Sequence, residues 1–240
     1  MGTGSAGSTG RLLGSGRTAD VYEYEGELAS GGDGAWVLRR YRGEYGDAAA
    51  EAEVMEHVRG HGYPVPCVRA VTRSDLVMER LSGPTMLEAF AAGLLGPREA
   101  GALLARLLRD LHAVPARVGQ DPEVRVLHLD LHPENVILTS DGPKVIDWNT
   151  AEEGPPGLDW GMSAVIVAQV AVGGLTGFES RAAMARSVLT ALLTDEQAPS
   201  AMTEEGLVQA RRRRAANPTM SPAEVEALGA AEELIRTLLV

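Results

Sequence analysis

Hydrophobic and polar positions change rhythm once along this chain, near residue 82. Before it, short runs of β-prone residues predict strands. Arg11 to Glu25 reads as strand, glycine turn, strand, with Val21, Tyr22 and Tyr24 favouring the extended state. Ala29 to Gly34 reads as a hairpin loop and Ala35 to Tyr41 as the returning strand. Ala50, Val54, Met55 and Val58 recur at helical spacing, so Asp47 to Gly60 is expected to be helical. Pro64 and Pro66 end that pattern, and two further strands are expected at Cys67 to Val71 and Asp75 to Leu81.

Beyond Ser82-Gly83-Pro84 the period becomes helical. Thr85 and Glu88 form a capping-box pair, and an amphipathic helix is predicted over Pro97 to His112. A strand-rich insert spans Val126 to Asp147, with a turn at Ser140-Asp141-Gly142, and the remainder is predicted helical. The last helix opens on Ser221, Pro222 and Glu224, which are an N-cap, a first-turn proline and a capping-box acid. The expected fold class is therefore α+β in two lobes. The division is a flexible start over 1–10, a β-rich lobe with one helix over 11–81, and a helical lobe over 82–240. A ligand cleft between such lobes is the natural expectation.

Composition narrows the function classes. The 240 residues are 45% hydrophobic, enough for a proper core. A net charge of −11 argues against a nucleic-acid or anionic-membrane binder, because both need a basic face. Cys67 is the single cysteine, so neither an intrachain disulfide nor a cysteine-rich metal site is expected. No signal pattern opens the chain, and its longest apolar stretch, Met162 to Leu175, is too short to span a bilayer. That stretch is expected to be a buried helix in a cytoplasmic protein. Of the 22 lysines and arginines only Lys144 is a lysine, so a phosphate-binding cation is expected to be an arginine.

The densest chemistry lies in His128-Leu-Asp130-Leu-His132-Pro-Glu-Asn135, followed by Val145-Ile-Asp147-Trp148. Phosphoryl transfer needs a carboxylate that orients a hydroxyl and accepts its proton, and oxygen ligands for the Mg²⁺ that neutralises the triphosphate. Asp130 suits the base, and Asn135 and Asp147 suit the metal. A solvated loop would not need apolar strands on both sides of the polar run.

This segment resembles the catalytic loop and metal-binding acid of the aminoglycoside phosphotransferase family, relatives of choline kinases with the protein-kinase-like fold. The motif H-x-D-x-x-x-x-N is met by His128, Asp130 and Asn135, and Ile146-Asp147-Trp148 is similar to the kinase DFG triplet. The resemblance implies ATP and Mg²⁺ as cofactors and makes Asp159 a brace for the loop. Gly14-Ser15-Gly16, with Ala19 and Val21 beyond, resembles the glycine loop that lets backbone N–H groups approach phosphates. Met78, Glu79 and Leu81 resemble the hinge where adenine docks.

Family members place a lysine on the third strand, paired with a helix glutamate. Here Arg39 aligns as its substitute with Glu51 as partner, and Arg40 with Glu53 is the fallback pair. Alternation puts neighbouring side chains on opposite faces, but both parities of this strand are apolar, so periodicity does not choose. The implied partner is a small hydroxylated substrate, such as an aminoglycoside or macrolide. A sugar, choline or amino-alcohol kinase, or a pseudokinase scaffold, is the alternative. The run Arg211 to Arg214 is expected to be a solvated face, and Glu152 and Glu153 are open to either a substrate role or a surface one.

Overall fold

The computed structural model describes residues 8–16, 18–25, 35–43, 47–118, 121–173, 179–218 and 220–239. The loop expected at Ala29 to Gly34 lies outside them. The chain separates into two units, one of residues 1–83 with 139–149, the other of 84–138 with 150–240.

The first unit carries one antiparallel sheet. Its strands are β1 (Ser8–Ser15), β2 (Ala19–Glu25), β3 (Trp36–Tyr41), β4 (Val68–Val71) and β5 (Asp75–Glu79). They lie in the order β1-β2-β3-β5-β4, which makes β3 central. Strand β1 starts at Ser8, so the last three of the ten residues expected to be flexible lie in it, with Ser8 opposite Glu25 and Thr9 opposite Tyr24. Between β3 and β4 comes α1 (Ala48–Gly60), opened by Asp47, whose carboxylate accepts the N–H groups of Ala49 and Ala50. Its buried stripe is Ala48, Glu51, Ala52, Val54, Met55 and Val58. Ala50, expected on that stripe, is exposed, and the charged Glu51 takes a place in it.

The helical second unit expected from residue 82 onward gives up 139–149 to the first unit. Strand β8 (Gly142–Val145) follows the turn at Ser140-Asp141, and Val145 N–H donates to Pro64 O at 2.8 Å. Trp148 is buried edge-on against Tyr63, with ring centroids 5.7 Å apart. These anchors, at Val145 and Trp148 on either side of Asp147, hold it in the β-rich unit.

The second unit begins with α2 (Met86–Ala91), capped by the Thr85–Glu88 box, and α3 (Pro97–His112). Then come β6 (Arg125–Leu127), a single 3-10 turn over Pro133–Asn135, and β7 (Val136–Thr139), which runs up to the unit boundary. After the excursion a short strand not anticipated from the sequence, β9 (Glu152–Gly154), pairs antiparallel with β6, Val126 opposite Glu153. Two glutamates and a glycine carry no β signal; the pairing arises because β6 offers an open edge. The helices α4 (Pro156–Val172), α5 (Glu179–Leu193), α6 (Ala198–Ala201), α7 (Glu204–Ala215) and α8 (Pro222–Leu238) complete the unit. Helix α4 is its axis: every residue from Gly157 to Gln169 is buried. Among the described residues no helix is long and apolar enough to cross a membrane.

Helix α7 approaches α4 at backbone contact. A Cβ on Gly206 would lie 2.4 Å from both Gly157 C and Gly157 O. Only glycine admits that approach, since the obstacle is backbone rather than a side chain that could rotate away. Gly206→Ala is therefore expected to lower unfolding stability by about 1–3 kcal/mol, the usual range for overpacking. Urea unfolding followed by circular dichroism checks it; an unchanged midpoint would show that the helices separate freely.

Candidate active site

Strand β3, helix α1 and the segment that follows β8 build a charge cluster in the first unit. Arg39, central on β3, pairs with Val21 on β2 and Leu76 on β5, so its side chain leaves the middle of the sheet. Its Nη1 lies 2.6 Å from Glu51 Oε1 on α1, and its Nη2 lies 2.6 Å from Asp147 Oδ1. The Tyr41 hydroxyl donates to Glu51 Oε2, and the Trp148 N–H donates to Glu51 Oε1 at 3.0 Å. Burial alone would lower the Arg39 pKa, but the charges of Glu51 and Asp147 outweigh it and raise it. Burial and the Glu51 charge likewise push the Tyr41 phenol up, so it remains a donor.

Arg40 points to the other face. Its Nε and Nη2 donate to the Asp75 carboxylate at 2.9 and 2.8 Å, across the strand pair in which Arg40 stands opposite Asp75. The fallback pairing of Arg40 with Glu53 is thus replaced by one with Asp75. Cross-strand register, set by tertiary pairing, decided what strand periodicity could not.

The glycine turn is tied down by residues that the sequence did not single out. Gly16 N–H donates to Ala19 O at 2.9 Å, and the Arg42 guanidinium donates to Gly16 O at 3.1 Å. Ser15 Oγ donates to Asp20 at 2.6 Å, and Arg42 holds the same carboxylate. Gly14 has open space where a Cβ would stand. In the proposed hinge, Met78 and Glu79 end β5. Glu79 N–H donates to Cys67 O at 2.8 Å, and its carboxylate accepts Cys67 N–H at 3.0 Å. Leu81 follows the strand, half-buried.

The second unit holds the other candidates. Asp159, fully buried in the first turn of α4, accepts the N–H groups of His128 at 2.9 Å and Leu129 at 2.7 Å. His112 Nε2 lies 3.0 Å from the same carboxylate. Burial opposes the Asp159 charge, but the His112 contact and the His128 N–H and charge win, keeping it below the usual carboxylate range. Leu129 is held at φ 63°, a left-handed state that costs a leucine about 1–2 kcal/mol. Asp147, at φ 66°, is the other positive-φ non-glycine among the described residues. Such strain clusters at working sites.

Asp130 follows Leu129 directly. Asn135 Nδ2 donates to Asp130 O at 2.8 Å and to Asp130 Oδ2 at 3.1 Å, which turns the Asn135 amide oxygen away from the carboxylate. Burial would raise the Asp130 pKa, but the neighbouring His132 and the charges of His128 and Arg214 hold it lower than usual. Asp130 is thus kept ionised near neutral pH. His128 is fully buried, and its Nδ1 accepts the Asp130 N–H at 3.2 Å.

Residues left open by the sequence find ordinary partners. Arg213 pairs with Glu152 at 2.7 Å, Arg117 with Glu153 at 3.2 Å and Arg211 with Glu232 at 2.9 Å. Arg214 is half-buried rather than solvated, its Nε 3.1 Å from Gln169 Oε1. Tyr41 was missed in the sequence although it shares strand parity with Arg39, a signal that could have found it.

A two-unit α+β chain with an ionised loop aspartate and a buried Arg–Glu–Asp cluster has the make-up of a phosphotransferase. The family model described as Phosphotransferase enzyme family matches residues 9–125 and 115–185, and the chain belongs to that family. A comparison with curated protein sequences finds no match. Among solved structures, an amicoumacin kinase in complex with AMP-PNP, Ca²⁺ and Ami is 13% identical. That alignment covers 95% of this chain and 90% of that one, with a TM-score of 0.49. A thermostable mutant of aminoglycoside phosphotransferase APH(4)-Ia, apo form, is 14% identical over 96% and 94% of the two chains, with a TM-score of 0.50. An ethanolamine kinase of Plasmodium vivax is 11% identical over 95% and 74%, with a TM-score of 0.51. The second and third share the protein-kinase-like fold, and the likeness reaches no further than fold.

Proposed function

We propose that the protein transfers the γ-phosphoryl group of ATP, with Mg²⁺, to a hydroxyl of a small molecule in the cytoplasm. The observation that carries this is Asp130, an ionised carboxylate held by Asn135 on a loop whose backbone Asp159 pins from beneath. Asp130 orients the acceptor hydroxyl and takes its proton as the O–P bond forms. Arg39, kept in place by Glu51, grips the phosphates, and the Gly14-Ser15-Gly16 turn offers backbone N–H groups to them. Adenine docks against Met78, the Glu79 carbonyl and the Leu81 N–H.

The donor chemistry fits the metal. Among the described residues no group of three or more His, Cys, Asp or Glu could hold an ion alone. Mg²⁺ asks for less: one or two hard oxygens from the protein, with water and phosphate oxygens filling the octahedron. The Asp147 carboxylate and the Asn135 amide oxygen are of that kind. A bound ion would neutralise charge developing on the phosphates.

Family membership and neighbours named as an aminoglycoside phosphotransferase and an ethanolamine kinase favour an antibiotic such as an aminoglycoside or macrolide, with a sugar, choline or amino alcohol as the metabolic counterpart. A nucleotide-binding scaffold without activity is favoured by one observation, the engagement of Asp147 by Arg39. Calorimetry separates the readings. ATP binding is expected to require Mg²⁺ or Mn²⁺, and Asp147→Asn is expected to remove that requirement. ATP affinity indifferent to metal in the wild type would favour the scaffold.

A further inference from the structure

Arg39 holds two carboxylates at once, and they are not equivalent. The Glu51 side chain is 1% exposed, and besides Arg39 it accepts the Tyr41 hydroxyl and the Trp148 N–H. The Asp147 side chain is 36% exposed, so an incoming ion can reach it while Glu51 stays sealed. The guanidinium, 2.6 Å from Asp147 Oδ1, sets its positive charge beside any cation that reaches the carboxylate.

A lysine could not do this in the same way. Its ammonium is a point charge that can lose its proton, whereas the guanidinium is a rigid fork that remains charged at any ordinary pH. Here one prong lies on Glu51 and the other on Asp147. Asp147 is therefore freed most readily when another anion takes its prong. The exchange needs little movement, because the backbone around Asp147 is held independently. Trp148 N–H stays on Glu51, and the Trp148 indole N–H donates to Val145 O at 3.1 Å.

We propose that Arg39 is an exchangeable counter-ion of Asp147, which denies the carboxylate to divalent metal until a nucleotide triphosphate takes its place on the guanidinium. The inference rests on the reading of Asp147 as metal ligand and Arg39 as phosphate grip, and adds an order to it: phosphate first frees the acid, and the acid then takes the ion. The arginine in place of the family's lysine is what makes the block a tight one.

Electron paramagnetic resonance of free Mn²⁺, titrated against the full chain without nucleotide, tests it. Arg39→Gln alone strands Glu51 in the interior, so the working variant is Arg39→Met with Glu51→Gln, which removes both buried charges together. Because that variant also loses the Glu51 charge, its reference is Glu51→Gln alone, and it is expected to bind Mn²⁺ about tenfold more tightly than that single variant. One unit charge about 6 Å from a divalent ion produces that factor even at the dielectric of water. Adding Asp147→Asn is expected to abolish the gain. Equal Mn²⁺ binding by Glu51→Gln and by the double variant overturns the proposal. A gain that survives Asp147→Asn overturns it as well. Titration of wild type with Mn²⁺–AMP-PNP judges the underlying reading separately, since failure to bind that complex would sink the nucleotide site itself.

Discussion

Asp130→Ala is expected to lower turnover by about 10²–10⁴, the usual contribution of a positioned acid–base group. The size of the effect follows from the state of the carboxylate. His132, His128 and Arg214 keep it ionised despite burial, and Asn135 donates a hydrogen bond to it at 3.1 Å. Only the charged form can accept a proton from the acceptor hydroxyl, and alanine removes it. Asp130→Asn is the sterner test. It preserves volume, and the Asp130 carbonyl still accepts Asn135 Nδ2 at 2.8 Å, so the loop keeps its main brace. The two variants should fail alike in chemistry while binding ATP nearly as wild type does, because the proposed nucleotide contacts belong to the other unit. An ADP-release assay over hydroxylated antibiotics and metabolites measures this. Undiminished release by either variant, with any acceptor the wild type uses, removes Asp130 from the role.

The second large effect concerns stability. Arg39→Ala is expected to destabilise the fold by about 3–5 kcal/mol, because truncating one partner of a buried ion pair strands the other. Glu51, with its side chain 1% exposed, cannot recover water. Its remaining partners, Tyr41 and the Trp148 N–H, donate hydrogen bonds but bring no full charge. Arg40→Ala is expected to cost less, about 1–2 kcal/mol, since Arg40 is 40% exposed, although the Asp75 side chain that it leaves behind is only 8% exposed. Chemical denaturation of the two variants should separate them by several-fold. In the assay, Arg39→Ala should also raise the ATP requirement, with the loss of a charge-assisted contact of roughly 1.5–3 kcal/mol. Similar destabilisation by both variants would mean that the burial difference between the two arginines carries no energetic weight.

Much of this protein is determined locally and can be read from one dimension. Helix α3 occupies Pro97–His112 as its apolar period demands, and the capping boxes at Thr85 and Ser221 form because acceptor and donor stand three residues apart. The strands of the first unit follow β-branched and aromatic runs for the same reason. The spacing of Asp130, Asn135 and Asp147, on which the proposed chemistry rests, is likewise read from sequence order.

What tertiary structure decided is where pairing partners lie far apart in the chain. Nothing near Arg39 distinguishes it from Arg40; the choice came from Asp75 and Glu51, contributed by a strand and a helix with their own burial demands. Strand β9 exists because β6 had an edge to fill, and 139–149 joins the β-rich unit because Pro64, Tyr63 and Glu51 supply its bonds and packing. The left-handed backbone at Leu129 and Asp147 is equally invisible locally, since neither residue favours it. At Leu129, Asp159 from thirty residues away pins the backbone N–H, and at Asp147 the neighbouring Trp148 N–H is fixed on a distant helix. Local propensity acts over a few residues, whereas charges and buried donors must be satisfied wherever the fold brings a partner.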